Sequence, residues 1–165
     1  MKKLFYVVLL LVFFACQQQK EDEVAPVTAP TTETIIDSPL LNSKEVELYV
    51  WKNDADYTRR KNPELSTAIV NTDSLIKGLN QLYENVYLQK DKMSNDTLYT
   101  FIKDSKFLSN QMGSTGAEIY IADVVMNLTE VPGVKYVHIE MEEGSHMQPG
   151  TWSRNNFTKF KVVQD

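Results

Sequence analysis

The sequence predicts an α+β fold: a small, mostly antiparallel sheet with two helices packed on one face. Three observations lead there. Apolar and polar residues alternate in short runs near 46–51, 86–90, 98–103, 136–141 and 157–163, the period of strands with one face buried. Two longer stretches, around 72–83 and 115–128, repeat their apolar residues at helical spacing. Residues 44–165 are long enough to bury a real core as one domain.

In chain order, Val46, Leu48 and Val50 alternate with Glu47, Tyr49 and Trp51, giving a first strand. A charged loop follows from Asp54 to Pro63, and a short strand fits Thr67 to Val70. Leu75, Ile76, Leu79, Leu82 and Tyr83 define the first helix, with Asp73 or Thr72 as N-cap. Gly78 inside it costs about 1 kcal/mol relative to alanine. Val86–Lys90 and Leu98–Lys103 read as strands joined by a turn at Ser94-Asn95-Asp96. Thr115 and Glu118 have capping-box spacing for a second helix, whose Ile121, Val124, Val125 and Leu128 line one face. Pro132-Gly133 ends it. Val137, Ile139 and Met141 then alternate with Tyr136, His138 and Glu140, and a last strand spans Phe157 to Val163. The order is β-(β)-α-β-β-α-β-β, with no internal repeat.

The N-terminus carries a separate signal. Lys2 and Lys3 precede an unbroken apolar run from Leu4 to Phe14, then Ala15 and Cys16, the sole cysteine. The run is shorter than the about 20 residues of a membrane-spanning helix and has the proportions of a cleavable signal peptide. Its ending resembles a bacterial lipobox, with Phe13 in place of the usual leucine. The resemblance implies cleavage after residue 15 and acylation of Cys16. A lone cysteine excludes intramolecular disulfides, so the core must hold the domain.

Residues 16–43 read as a lipidated, disordered tether, rich in Pro, Thr and acidic residues and too polar to bury a core. Lys20-Glu21-Asp22 resembles the surface-export signal of some Bacteroidota lipoproteins. In a Gram-negative cell, Gln17 after the anchor resembles outer-membrane sorting, on the periplasmic or the exposed side. Of 17 basic residues, loss of Lys2 and Lys3 leaves 15 against 22 acidic ones, a net charge near −7. That balance argues against nucleic acid and against anionic lipid, so membrane contact should come from the lipid alone.

Gly113-Ser-Thr-Gly-Ala-Glu118, followed by Val125-Met-Asn-Leu-Thr-Glu-Val-Pro-Gly-Val-Lys-Tyr-Val137, resembles the second half of a GerMN domain, the sporulation and spore-germination module of many envelope lipoproteins. Leu98–Phe107 is similar to that family's strand and Asp-x-Ser-x-x-Phe turn, and Val46–Trp51 to its opening strand. Leu82-Tyr83-Glu84-Asn85 stands where the family usually has Gly-Pro. The resemblance implies a fold akin to ring-building modules and a role in envelope assembly or recognition, without catalysis. It carries no functional residues over.

Chemistry-bearing residues are few. His138 and His146 are the only histidines, and with no third histidine or available cysteine a zinc site lacks ligands. Ser145 beside His146 has no nucleophile elbow around it. Asp54 with Asp56, and Glu140 with Glu142 and Glu143, are accounted for by an acidic surface. No cofactor is expected. Trp51, Tyr57, His146, Trp152 and Arg154 are the candidate ligand or partner surface, although Trp51 and Trp152 are better read as completing the core or capping the sheet. The expected function is a non-catalytic, lipid-anchored binding or assembly module, its partner peptidoglycan, an envelope protein or a second copy of itself. A peptidoglycan- or glycan-active hydrolase using loop 143–154, and a periplasmic inhibitor or immunity lipoprotein, are the alternatives.

Overall fold

In the computed structural model the described residues are 47–65 and 70–163. The leader, the tether, Cys16, Val46 and most of the Thr67–Val70 strand lie outside them; Val70 itself is not in a strand. The elements are β1 (Trp51–Asn53), β2 (Thr58–Lys61), α1 (Thr72–Leu82), β3 (Leu88–Ser94), β4 (Thr97–Ile102), a π-helical turn (Phe107–Gln111), α2 (Gly113–Leu128), β5 (Tyr136–Glu140), β6 (Gly150–Trp152), a 3-10 turn (Arg154–Phe157) and β7 (Lys161–Val162). The fold is a small α+β domain.

Its strands form two sheets where the pattern predicted one: β1-β2-β7 and β3-β4-β5-β6. Three pairings are antiparallel, while β2–β7 and β4–β5 are parallel. The parallel β4–β5 pair follows from the helical crossover between them, since a short hairpin cannot bring two strands side by side in one direction. α2 touches both sheets as well as α1. From Tyr120 to Leu128 every residue of it is buried, so the helix is enclosed all round instead of on one stripe.

The first strand begins later than predicted. Residues 47–50 alternate like a strand, but apart from the Asn62 backbone amide donating to the Val50 carbonyl at 2.9 Å, side-chain amides take the place of a strand partner. Asn62 Nδ2 donates to the carbonyls of Glu47 (2.9 Å) and Tyr49 (3.0 Å). Asn127 Oδ1 accepts from the Val50 and Trp51 amides at 2.6 and 3.0 Å. The charged loop Asp54–Pro63 contains β2, which apolar alternation misses because Arg59 holds the inward position. Its guanidinium donates to Asn53 Oδ1 at 2.9 Å and lies 5.7 Å from the Phe160 ring centre.

α1 starts one residue before the predicted caps. Asn71 is its N-cap, and Asn71 and Ser74 bond reciprocally as a capping box. The box expected from Thr115 and Glu118 does not form. The π turn runs straight into α2, so Thr115 already lies within the helix and Glu118 pairs with Lys159. Gly113 joins the two at φ +75°, a backbone that glycine adopts without penalty. The C-terminal segment is the largest departure. The predicted strand from Phe157 shrinks to β7, because Arg154–Phe157 coil into a 3-10 turn capped by Ser153 and Asn156. β6 falls within the predicted loop 143–154; it is three residues long and follows Pro149.

Gly78 is required by packing. A Cβ there would sit 2.0 Å from the Leu48 carbonyl oxygen, which is backbone and cannot swing aside. Alanine gains about 1 kcal/mol of helix propensity but forces residues 47–50 outward, a cost of roughly 1–3 kcal/mol or more. Gly78→Ala is therefore expected to lower the urea midpoint. A midpoint at or above wild type would mean that residues 47–50 do not lean on α1.

No helix among the described residues is long and apolar enough to cross a membrane.

Candidate functional site

The polar residues most strongly constrained by the fold are Asp123 and Asn127, one helical turn apart on α2 and fully buried. Asn127 Nδ2 donates to the carbonyls of Trp51 (2.7 Å) and Asp123 (2.8 Å), completing the pair of amides that its Oδ1 accepts. Asp123 Oδ1 accepts from the backbone and side-chain nitrogens of Asn53, both at 2.7 Å, and its Oδ2 accepts from Tyr83 Oη at 2.5 Å. Burial pushes the Asp123 carboxyl up to about 6, against hydrogen bonds that favour its charged form. The Tyr120 hydroxyl is buried and finds no hydrogen-bond partner among the described residues, and its ring is edge-on to Tyr83. A carboxylate this enclosed meets no substrate. The cluster clamps β1 and α1 to α2.

The candidate surface residues fall into two groups. Trp51 and Arg154 meet at Glu130: Trp51 Nε1 donates to Glu130 Oε1 at 2.8 Å, and Arg154 bonds the same oxygen. Arg154 also donates to Thr129 Oγ1 at 2.7 Å and to the Met126 carbonyl at 3.2 Å. Burial opposes ionisation of Glu130, but the bonds from Arg154 and Trp51 outweigh it and hold that carboxyl below its ordinary value. Arg154 thus caps the carbonyl end of α2, where a cation opposes the helix dipole favourably. Its Nε and Nη2 donors are committed to structure.

His146 and Trp152 line a shallow surface cavity of about 400 Å³ with Ser114, Glu118, Asn156 and Phe157. Tyr57 is not among its lining residues and is linked to it only through Lys159. Lys159 lies 4.2 Å from the Tyr57 ring centre and donates to Glu118 at 2.6 Å, so cation, ring and carboxylate form one ridge. The loop before β6 is pinned to the π turn, with the His146 amide donating to the Ser109 carbonyl at 2.8 Å and that of Ser145 to Asn110 Oδ1 at 3.1 Å.

The geometry changes the partner of His146. Its Nδ1 lies 3.1 Å from Ser114 Oγ on the first turn of α2, while Ser145 faces Asn110. Among the described residues no carboxylate hydrogen-bonds to His146, so nothing fixes its tautomer as the third member of a triad would. Glu118 is occupied by Lys159. His138 is on the other side of the sheet, between Thr151 (2.9 Å) and Glu140 (3.4 Å). Among the described residues no three His, Cys, Asp or Glu side chains gather to hold a metal ion.

Sequence reasoning missed Asp123, Asn127 and Glu130. A signal for the first two was present: two polar residues four apart inside the apolar run Ile119–Leu128 have to find partners once that helix is buried. No family model matches the chain, and no curated protein or solved structure is significantly similar to it.

Proposed function

We propose that this chain is a lipid-anchored protein of the cell envelope whose folded part is a non-catalytic binding or assembly module. The carrying observation is Cys16, the sole cysteine, placed directly after the apolar run Leu4–Phe14 and Ala15. Several acyl chains at that position make a stable anchor, each contributing roughly 0.8 kcal/mol per buried methylene. The resemblance of residues 113–137 to the GerMN module supports an assembly or recognition role. Outer-membrane placement is supported by Gln17, and peptidoglycan or an envelope protein is the partner class that such a placement brings near.

A catalytic reading has one observation in its favour, the Ser114–His146 contact in an open cavity. The absence of an orienting carboxylate among the described residues weighs against it. Mass spectrometry of the protein extracted from envelope membranes tests the anchor. The expected result is a chain beginning at an acylated Cys16, with Cys16→Ser released to the soluble fraction. An intact leader with a free thiol would overturn the proposal.

A further inference from the structure

The cavity beside His146 has an apolar floor and a polar rim. Of the residues lining it, Ile121 and Phe157 are buried, while Met147 and Trp152 are half-buried and pack against the same core. The Trp152 ring closes onto its own strand: a Cβ at Gly150 would lie 2.9 Å from two of the ring carbons. The bond from the His146 amide to the Ser109 carbonyl fixes the backbone on which that side chain stands. A volume of about 400 Å³ lies at the small end of ligand sites, which span about 300–1,000 Å³.

The polar side chains of the rim divide into acceptors already in use and donors that are not. Glu118 is the one acid lining the cavity, and Lys159 reaches both of its oxygens, at 2.6 and 2.5 Å. Asn156 Oδ1 accepts from the Ser153 amide at 2.8 Å, which leaves its Nδ2 uncommitted. The Trp152 indole N–H has no partner among the described residues, and neither has His146 Nε2. When Ser114 donates to His146 Nδ1 across 3.1 Å, Nε2 carries the ring hydrogen and becomes a third donor.

This imbalance selects the functional group of a ligand. A sugar hydroxyl or an amide brings a hydrogen of its own, for which the rim holds no spare carboxylate or amide oxygen. A phosphate brings up to two charges, and no lysine or arginine lines the cavity. A carboxylate accepts at both oxygens, donates nothing and is held well by neutral N–H groups, as at helix caps. The apolar floor then takes the hydrocarbon beside it.

We propose that this cavity binds a carboxylate borne on a small apolar group, as at the end of a peptide closing in alanine. The carboxylate accepts from Trp152, Asn156 and His146, and its alkyl part lies on Ile121, Phe157 and Met147. Such groups come from peptide termini, those of wall peptides included, or from free short-chain acids. The site deepens the non-catalytic binding-module reading and rests on it, since the Ser114–His146 contact here orients a donor and attacks nothing.

The test is calorimetry on the intact lipidated chain in a polyoxyethylene detergent. The probes are N-acetyl-D-alanyl-D-alanine, its L,L form, propionate, and the amide of each. Saturable binding of at least one free acid is expected, tenfold or more tighter than its amide, because hydrogen bonds to a charged acceptor are the stronger ones. The tightest acid names the source: the D,D peptide a wall peptide, the L,L peptide a protein terminus, propionate a free acid. Asn156→Asp keeps the acceptor for Ser153 and sets a second carboxylate against the ligand, so binding should fall at least tenfold with an unchanged circular dichroism spectrum. Trp152→Phe keeps a ring and removes the indole N–H; a loss of roughly three- to tenfold is expected, and this variant serves should the first fail to fold. Binding of no free acid, equal binding of the amides, or unchanged binding in the folded variants would overturn the site. Mass spectrometry of the protein and of the recovered probes separates the claims. An acylated chain that leaves every probe intact and unbound sinks the carboxylate site alone, whereas a cleaved peptide sinks the non-catalytic reading.

Discussion

Asn127→Ala is expected to destabilise the domain by about 3–5 kcal/mol, a large part of the roughly 5–15 kcal/mol typical of a domain. The side chain is fully buried and makes four bonds: it accepts from the Val50 and Trp51 amides and donates to the Trp51 and Asp123 carbonyls. Truncation leaves the Val50 and Trp51 amides without this acceptor and the Trp51 carbonyl without this donor, while the Asp123 carbonyl keeps its bond within α2; each unmet buried group costs about 1–3 kcal/mol, with relaxation recovering some of the total. The loss should appear as a lowered urea midpoint at constant m-value. Asn127→Leu separates hydrogen bonding from volume, because leucine refills the space and makes no bond. It should be as unstable as the alanine variant. A leucine variant at wild-type stability would show that the amide serves only to fill space.

The same side chain explains where the fold was legible. Elements whose backbone bonds stay within helices or regular ladders are legible from periodicity: α1, β4, β5, the body of α2 and the first part of β3, which the pattern places at Val86–Lys90 but which runs from Leu88 through a bulge after Lys90 to Ser94. Those whose bonds go to side chains are not. Residues 47–50 alternate correctly yet are held by Asn62 and Asn127, both distant in sequence. β2 is a Thr-Arg-Arg-Lys strand whose buried Arg59 replaces an apolar residue, and its partner β7 has only two residues. Local pattern cannot supply partners that a tertiary contact provides. The candidate site divides likewise. Aromatic residues and His146 were picked out by type, but type does not show that Arg154 and Trp51 share Glu130, or that His146 faces Ser114 across 32 residues.

Asp123 carries the strongest pH dependence expected of this domain. Its carboxyl rises from 3.8 to about 6 in the folded chain because burial penalises the charge more than Tyr83 and Asn53 favour it. The nearest cations do not neutralise it: Arg59 is spent on Asn53 Oδ1 and the Phe157 carbonyl, and Lys52 is exposed. Tyr83, which donates to it, and Tyr120, packed against Tyr83, have hydroxyls raised by burial and stay protonated. Between pH 4 and 6 the native state thus binds more protons than the unfolded chain, and stability falls as pH rises. A difference of about two units corresponds to about 3 kcal/mol, present in full below the unfolded value and lost by the time pH passes the folded one. Glu130 and Asp56 are lowered instead by the hydrogen bonds they accept, so they act with the opposite sign, adding stability as pH rises toward their ordinary values. Asp123→Asn keeps an acceptor for Asn53 and offers Tyr83 Oη a donor without any charge. Thermal melts should show wild type less stable at pH 7.5 than at pH 5, and the variant flat across that interval and above wild type at pH 7.5. A wild type that gains stability toward pH 7.5, or a variant that follows the same slope, would place the charge penalty elsewhere. The carboxylate would then be paid for by the clamp it forms between β1, α1 and α2.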